Sequence, residues 1–437
     1  MINLIVVLIG LALLLILTLR KINVAVAALV SVVFIIVFSG LPVLQTLNDS
    51  YLTGFVNFLK SVWLMLLLGA ILSKIMDVSG AARSIAQLII RGIGPRWAIP
   101  AIILAGGLLT YGGVQSMVAC FALYPIALAV FRNANLPRYL IPAAIGTGIF
   151  TWVYMLPGSP AIVNIIPTKY LGTTPMAAPA LGLIAAGLQL VLSLVYLEWV
   201  VRKSRRLGEG FLPDDSTMLA LENSDALERE GSLPNPWLSL VPLASIAVVL
   251  NVFGQDISLA LLVGIVLSCV FFWKNLFTGK IDLVTTLSDV TNQAAILAIV
   301  SSSIVGIGSV VQVTPSFKGV VDAMLASSGT VDPIIIFGAA SAVLAGLCAS
   351  QMGGLSTALA ALADPFLAMG VDPEVMHRIG VIASNSLDSL PHSGGIVAVL
   401  AISGVSYKEG YSHLFMTTVL ITIVVAVVSI PLAAVLY

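Results

Sequence analysis

Long apolar runs separated by short polar interruptions fill the chain. The first three cover residues 2–19, 22–38 and 53–76. Their lengths lie around the ~20 mostly apolar residues that a helix needs to cross a bilayer. Residues 77–95 read differently. There Arg83 and Arg91 fall among apolar positions, an amphipathic pattern that suits a helix lying in the membrane interface. The run 97–131 is broken at Tyr111-Gly112-Gly113-Val114-Gln115-Ser116, and the run 139–170 at Leu156-Pro157-Gly158-Ser159-Pro160. A cleaner helix spans 178–201, followed by a polar stretch at 202–235. Beyond it the order returns, with helices at 237–252, 257–273 and 291–313 and an amphipathic stretch at 314–329. An apolar run at 333–369 is broken at Ser350-Gln351-Met352-Gly353-Gly354-Leu355-Ser356, another at 378–404 is broken around 385–395, and 414–435 closes the chain.

Individual residues follow the same order. Leu156-Pro157-x-Ser159-x-x-Ile162-Val163 answers Leu390-Pro391-x-Ser393-x-x-Ile396-Val397, and Gly112-Gly113-Val114 answers Gly353-Gly354-Leu355. Pro125 answers Pro365, and Pro100-x-Ile102-Ile103 answers Pro333-x-Ile335-Ile336. Matches in register with nearly constant spacing point to a structural duplication. The predicted fold is an all-α polytopic membrane protein of two inverted repeats, residues 1–201 and 237–437, joined by a cytoplasmic linker at 202–236. Each repeat has five transmembrane helices and one re-entrant hairpin, 97–131 in the first and 333–369 in the second. The broken helices 139–170 and 378–404 lie at the substrate site. An odd number of crossings inverts one repeat relative to the other, an arrangement common in secondary transporters.

Composition supports a membrane setting. Of 437 residues, 59% are hydrophobic and only 9% charged, where a soluble domain carries about 25% charged residues. Lipid must be the solvent of such a chain. A formal net charge of zero offers nothing to nucleic acid. With the linker in the cytoplasm, every Lys and Arg except Lys60, Lys169, Lys318 and Arg378 falls on or near the cytoplasmic side, as the positive-inside rule requires. Both termini then face the periplasm of a bacterial inner membrane. Lys60 stands near the outer end of its helix and is expected to snorkel. The first apolar run lacks a basic leader and a small-residue cleavage site, and reads as a retained helix. Cys120, Cys269 and Cys348 show neither metal nor disulfide spacing and read as packing residues. No cofactor or metal is expected.

Lipid cannot hydrogen-bond a bare backbone, so a helix broken at membrane depth needs protein or a wet cavity around the break. Each break frees helix ends, and an N-terminal end, with about half a positive charge and unpaired N–H groups, suits a carboxylate. The small and polar residues at the breaks are the candidate substrate contacts. They are Thr110, Gly112, Gly113, Gln115 and Ser116 at the first tip, Ser159 and Asn164 at the first broken helix, Gln351, Gly353, Gly354, Ser356 and Thr357 at the second tip, and Asn385 and Ser393 at the second broken helix. Glycine admits close backbone approach, and hydroxyls and amides supply directional bonds. No Arg or Lys sits at a tip, which favours a small monoanion over a multiply charged substrate. Asp388 and His392, four residues apart, are the candidates for proton coupling. His377 and His413 read as solvated loop residues.

An intramembrane hydrolase would need a serine, a base and an oxyanion hole in one place. Ser159 has no histidine in its own half, and His392 adjoins Ser393 too closely to serve as its base. An anion channel is the other alternative, but it has no need of matched inverted breaks.

The run Gly69-Ala70-Ile71-Leu72-Ser73-Lys74-Ile75-Met76-Asp77-Val78-Ser79-Gly80-Ala81-Ala82, with Tyr111-Gly112-Gly113 and Tyr124-Pro125, resembles the gluconate permease (GntP) family. So do Asn164-Ile165-Ile166-Pro167 and Gly172-Thr173-Thr174-Pro175. The resemblance implies a place in the ion-transporter superfamily, a homodimer, elevator-type alternating access, and proton symport of gluconate or a related hydroxy acid. Sodium coupling is the alternative that the superfamily also uses. Gluconate, hydroxybutyrate, lactate and other short hydroxy- or monocarboxylates all remain open as substrate.

Overall fold

A computed structural model describes residues 2–20, 22–94, 97–212, 233–276, 283–315, 331–348, 350–391 and 393–437. The described residues form helices, turns and loops, with no strand. In the first half α1 is Ile2–Leu19, α2 is Val24–Phe38, α3 is Thr53–Val78 and α4 is Ala81–Ile93. Helices α5 (Ala98–Tyr111) and α6 (Ser116–Asn133) flank the first glycine tip. Helix α7 (Ile141–Phe150), a single turn at Trp152–Met155 and α8 (Ile162–Leu171) make the first broken helix. Helix α9 (Pro179–Arg206) ends the half. In the second half α10 is Pro236–Asn251, α11 is Ile257–Phe271 and α12 is Leu283–Val313. Helices α13 (Pro333–Cys348) and α14 (Gln351–Ala368) flank the second tip. Helices α15 (Pro373–Leu387) and α16 (Gly394–Ile402) flank the second break. The last span, α17, is Tyr407–Leu436.

Local chemistry sets several of these ends. Asn23, Asn235, Asp256 and Asp372 each accept a backbone N–H at the start of α2, α10, α11 and α15, and Pro236 and Pro373 stand in the first turn, where the missing N–H costs nothing. Helix α8 stops at Gly172 in the left-handed region (φ 66°). Buried hydroxyls close on their own helices, as with Ser31 on Ala27 O (2.8 Å) and Thr147 on Ala143 O (2.6 Å).

Not every expected crossing is a long helix. Among the described residues, Pro179–Arg206, Thr285–Val311 and Tyr407–Leu436 are long and apolar enough to span a bilayer. Two bent pairs, Val43–Lys60 with Trp63–Met76 (44°) and Ser116–Tyr124 with Ile126–Asn133 (42°), bring the number to five if each pair is one span. Helices α2, α10 and α11 have 15, 16 and 15 residues, about 23 Å at 1.5 Å per residue, against a hydrocarbon core of ~30 Å. Their caps and prolines cut them short. Leu183, Val191 and Val195 of α9, Val424 and Val427 of α17, and Val266 and Val270 of α11 present exposed apolar side chains, the surface a lipid solvent requires.

Helix α4 departs from a simple interfacial helix. Its apolar side, with Ala81, Ala82, Ile85 and Ala86, is buried against α5, α6 and α10. Protein, not lipid, covers that face. The matching stretch after Pro315 lies outside the described residues, as do 213–232 of the linker. At the linker's near end, α9 continues through the basic cluster to Arg206. At its far end, Ser84 Oγ donates to Pro234 O (2.6 Å).

The packing of the two halves is reciprocal. In each, the tip helix before the glycines packs on the helix before the break: α5 on α7, and α13 on α15. The helix after each break then crosses to the other half. Helix α8 packs on α14 and α15, and α16 packs on α6 and α7. Glycines bring these pairs close. A Cβ on Gly148 would stand 2.8 Å from Ile103 O, and one on Gly354 would overlap the backbone of Ala345.

Gly354→Ala is therefore expected to destabilise the α13–α14 pair by about 1–3 kcal/mol, lowering the detergent melting temperature. Gly187→Ala, at an exposed site with nothing within 4 Å of the new Cβ, is expected to leave it unchanged. Thermal unfolding of the two purified variants checks this.

Candidate functional site

The four interruptions meet at one cavity of about 310 Å³. The first tip contributes Thr110, Gly113, Val114, Gln115 and Ser116, and the first break contributes residues 160–163. The second tip contributes Ser350, Gln351 and Met352, and the second break contributes Asp388, Ser393 and Gly395. Met65, Leu66, Gly69 and Ala70 of α3 and Leu261 of α11 complete an apolar side.

The residue heading each post-break or post-tip helix lies in the cavity wall. Gln115 caps α6 (φ −58°, ψ 137°), Ala161 caps α8 (φ −59°, ψ 138°) and Ser350 caps α14, while Ser393 directly precedes α16. Four helices thus begin at the cavity. The first turn of each carries N–H groups with no intrahelical acceptor and the positive end of the helix dipole. The caps Gln115 and Ala161 make no side-chain capping bond; Ser350 Oγ accepts from Gly353 N (3.2 Å).

The polar groups of the wall are few. Asp388 is half-buried and accepts from Ser389 Oγ (2.9 Å). Ser116 Oγ donates to Ile149 O (3.3 Å), so the Tyr154 hydroxyl, 2.6 Å away, is the donor to Ser116. The tip backbone is fixed by Gln115 N, which donates to Ser73 Oγ (2.8 Å), and the Thr110 hydroxyl closes on Gly106 O (2.8 Å). Among the described residues no Lys or Arg lines the cavity.

Of the residues singled out from sequence, Thr110, Gly113, Gln115, Ser116, Gln351, Asp388 and Ser393 come together in this wall. The others stand outside the lining. Gly112 lies against Leu243, and Gly353 against Ile304. Ser356 donates to Met352 O (2.7 Å) and Thr357 to Gly353 O (2.9 Å), both within α14. Asn385 Nδ2 donates to Thr151 O (3.2 Å). Ser159 and Asn164 are fully buried at the first break. His392 lies outside the described residues.

The histidines differ from the sequence reading. His377 is on α15 and fully buried. Its Nε2 is 3.1 Å from Asn164 Oδ1 and its Nδ1 2.7 Å from Thr173 Oγ1. His413 is half-buried, bonded to Tyr196 OH (2.8 Å) and stacked on Tyr139. Neither is a solvated loop residue; helix packing encloses both.

Sequence reasoning missed Arg378, which the charge pattern assigned to the outer half. It is 0% exposed. Its guanidinium donates from Nη1 to Met155 O (3.1 Å) and Asn164 Oδ1 (2.9 Å), from Nη2 to Pro175 O (3.1 Å) and Ala177 O (2.7 Å), and from Nε to Ala177 O (3.0 Å). Asn164 Nδ2 in turn donates to Ser159 O (2.9 Å) and Pro175 O (3.0 Å). Carbonyls of the first break, Met155 O and Ser159 O, and of the loop after α8, Pro175 O and Ala177 O, are thus collected by two side chains. The available signal was the pair His377-Arg378 set directly before the apolar run 379–383.

Apolar helices with exposed hydrophobic sides around a shared cavity define a multi-pass membrane protein. Comparison with known proteins supplies the family. Residues 2–250 match the model of GntP family permeases. The chain is 32% identical over 469 aligned positions to the uncharacterized transporter YxjC of Bacillus subtilis (strain 168), covering 98% of both chains. It is 31% identical over 167 residues to the high-affinity gluconate transporter of Escherichia coli (strain K12), 37% of each chain. An uncharacterized permease of Haemophilus influenzae is 24% identical over 228 residues, 51% of this chain and 46% of that one. The chain belongs to the GntP permease family.

In a background without native cysteines, Ala161→Cys and Ser393→Cys are expected to react with a small water-soluble thiol reagent, and Ser356→Cys to stay unreactive in the folded protein. Labelling rates before and after denaturation check the placement.

Proposed function

We propose that the chain is a secondary active transporter that carries a small organic anion with a proton across the bacterial inner membrane. Its substrate is gluconate, hydroxybutyrate or another short hydroxy- or monocarboxylate. The observation that carries this reading is the convergence of four helix N-termini on one cavity. N–H groups and helix dipoles favour one negative charge there, and a wall without Lys or Arg offers little to a second or third. The gluconate transporter among the relatives supports an organic anion.

Two inverted repeats are the architecture we assign, with 97–131 and 333–369 as re-entrant hairpins, 202–236 as a cytoplasmic linker and both termini in the periplasm. Reciprocal packing of α8 and α16 on the opposite half supports this duplication. The short helices α2, α10 and α11 cross where the bilayer thins to meet them. Alternating access is then an elevator movement of the cavity-bearing elements in each subunit of a homodimer.

Asp388 is the proton carrier in this scheme. Ionised, it opposes an anion in the same cavity; protonated, it donates instead. Anion plus proton is electroneutral, so a pH gradient drives accumulation at ~1.4 kcal/mol, or about tenfold, per unit. Sodium coupling is the second reading, and one observation favours it. Gln351 Oε1 and Asn385 Oδ1 are buried with no hydrogen-bond partner among the described residues, and their Nε2 and Nδ2 atoms are committed to Val381 O and Thr151 O. Free carbonyl-type oxygens suit a cation.

Proteoliposomes with an imposed pH gradient are expected to accumulate gluconate or a shorter hydroxycarboxylate. Asp388→Asn is expected to abolish gradient-driven accumulation while leaving substrate exchange. Unchanged coupling in that variant would remove Asp388 from the mechanism. Uptake that follows sodium and ignores pH would select the second reading.

A further inference from the structure

We infer that Arg378 is the fixed positive charge of the anion site, held behind the cavity wall and acting on the substrate without touching it. The inference rests on the transport reading above. The charge is close to the cavity. Ile162 and Val163, the first turn of α8, line it, and the next residue, Asn164, accepts from Arg378 Nη1 at 2.9 Å. Every acceptor of the guanidinium is a neutral oxygen, namely Met155 O, Pro175 O, Ala177 O and Asn164 Oδ1. Among the described residues no carboxylate lies within ion-pair distance of it. Glu374, one turn earlier, is exposed and accepts from Ala178 N (3.1 Å). The other ionisable groups around it are His377 on its own helix, Tyr111 at the end of α5 and the terminal residue Tyr437.

A buried cation that serves only as a brace is normally paired, because an unpaired charge is costly in a low dielectric. Here carbonyl dipoles stabilise the charge without cancelling its field. An anion in the cavity can supply the missing counter-charge. Cavity and guanidinium belong to different layers, so specificity for charge is separated from the contacts that read substrate shape. With Asp388 ionised the two fixed charges sum to zero, and protonation of Asp388 leaves a net positive site for the anion.

The test compares a hydroxy acid with its neutral amide, using gluconate and gluconamide, or the lactate pair, whichever the wild type takes up saturably. A unit charge about 10–15 Å away in an effective dielectric of ~20 alters anion affinity by about five- to twentyfold. Arg378→Gln is expected to lose the preference for acid over amide by that factor. Arg378→Lys keeps the charge and is expected to retain the preference, even if both affinities fall. Thr173→Asp places a carboxylate at the rim of the same cluster, where Thr173 now bonds His377. It is expected to lower the preference without lowering the melting temperature, and it remains informative if Arg378→Gln does not fold. Loss of the preference in Arg378→Lys, or an unchanged preference in Arg378→Gln or Thr173→Asp, would overturn the inference. A wild type that takes up neither acid saturably would instead overturn the transport reading.

Discussion

A backbone interrupted inside a hydrocarbon layer must find partners for the groups it frees, and most features of this structure answer that requirement. Each unsatisfied N–H or C=O costs several kcal/mol in lipid. The chain places its interruptions against one another instead of against lipid. At the first break and in the loop after α8, the carbonyl oxygens of Met155, Ser159, Pro175 and Ala177 are gathered by Arg378 and Asn164. The N–H groups on the other side of the same break are left at the cavity. Satisfying one pole of the broken helix and leaving the other available is what would turn a structural defect into the anion site we propose.

The two halves solve the problem unequally. The first break is closed by a charged fork from the second half, through Arg378. Two amides of the second half collect further oxygens. Asn385 reaches Thr151 O in the first half, and Gln351 reaches Val381 O and Ser384 Oγ. Those amides use their donors and retain free acceptor oxygens, Asn385 Oδ1 and Gln351 Oε1. A guanidinium has donors only, whereas an amide has both. Those two amides therefore keep acceptor capacity for a proton-bearing group or a cation. Asp388 lies in the second break, on the side with that capacity.

Much of this was legible in the chain. Apolar run length marked the helices, and glycine pairs at the tips and prolines at the broken helices marked the four interruptions, because these signals are local. Burial was harder to read. Gly112, Gly353 and Gly354 carry the glycine signature of ligand approach, yet they pack against Leu243, Ile304 and the Ala345 backbone. Glycine serves helix contact and ligand contact for the same steric reason. Ser356 and Thr357 lie beyond the first turn of α14, where a hydroxyl closes on its own helix. The role of Arg378 was hard to read because most of its partners are backbone carbonyls some two hundred positions earlier, and a carbonyl leaves no mark in sequence.

The charge arithmetic of the cavity connects these pieces. Arg378 precedes Asp388 by ten residues on and just beyond one helix, roughly 15 Å at 1.5 Å per residue. At that range two opposite charges do not form an ion pair, and neither suppresses the other's response to a ligand. An anion arriving between them is attracted by one and opposed by the other. Neutralising the carboxylate, by proton or by a cation held at the free amide oxygens, tips that balance toward binding. Either coupling ion would act through the same balance, so coupling in this family member need not depend on a direct contact between ion and substrate. In the proposed scheme, long-range attraction and local titration would be sufficient, provided the positive charge stays where the broken helix has fixed it.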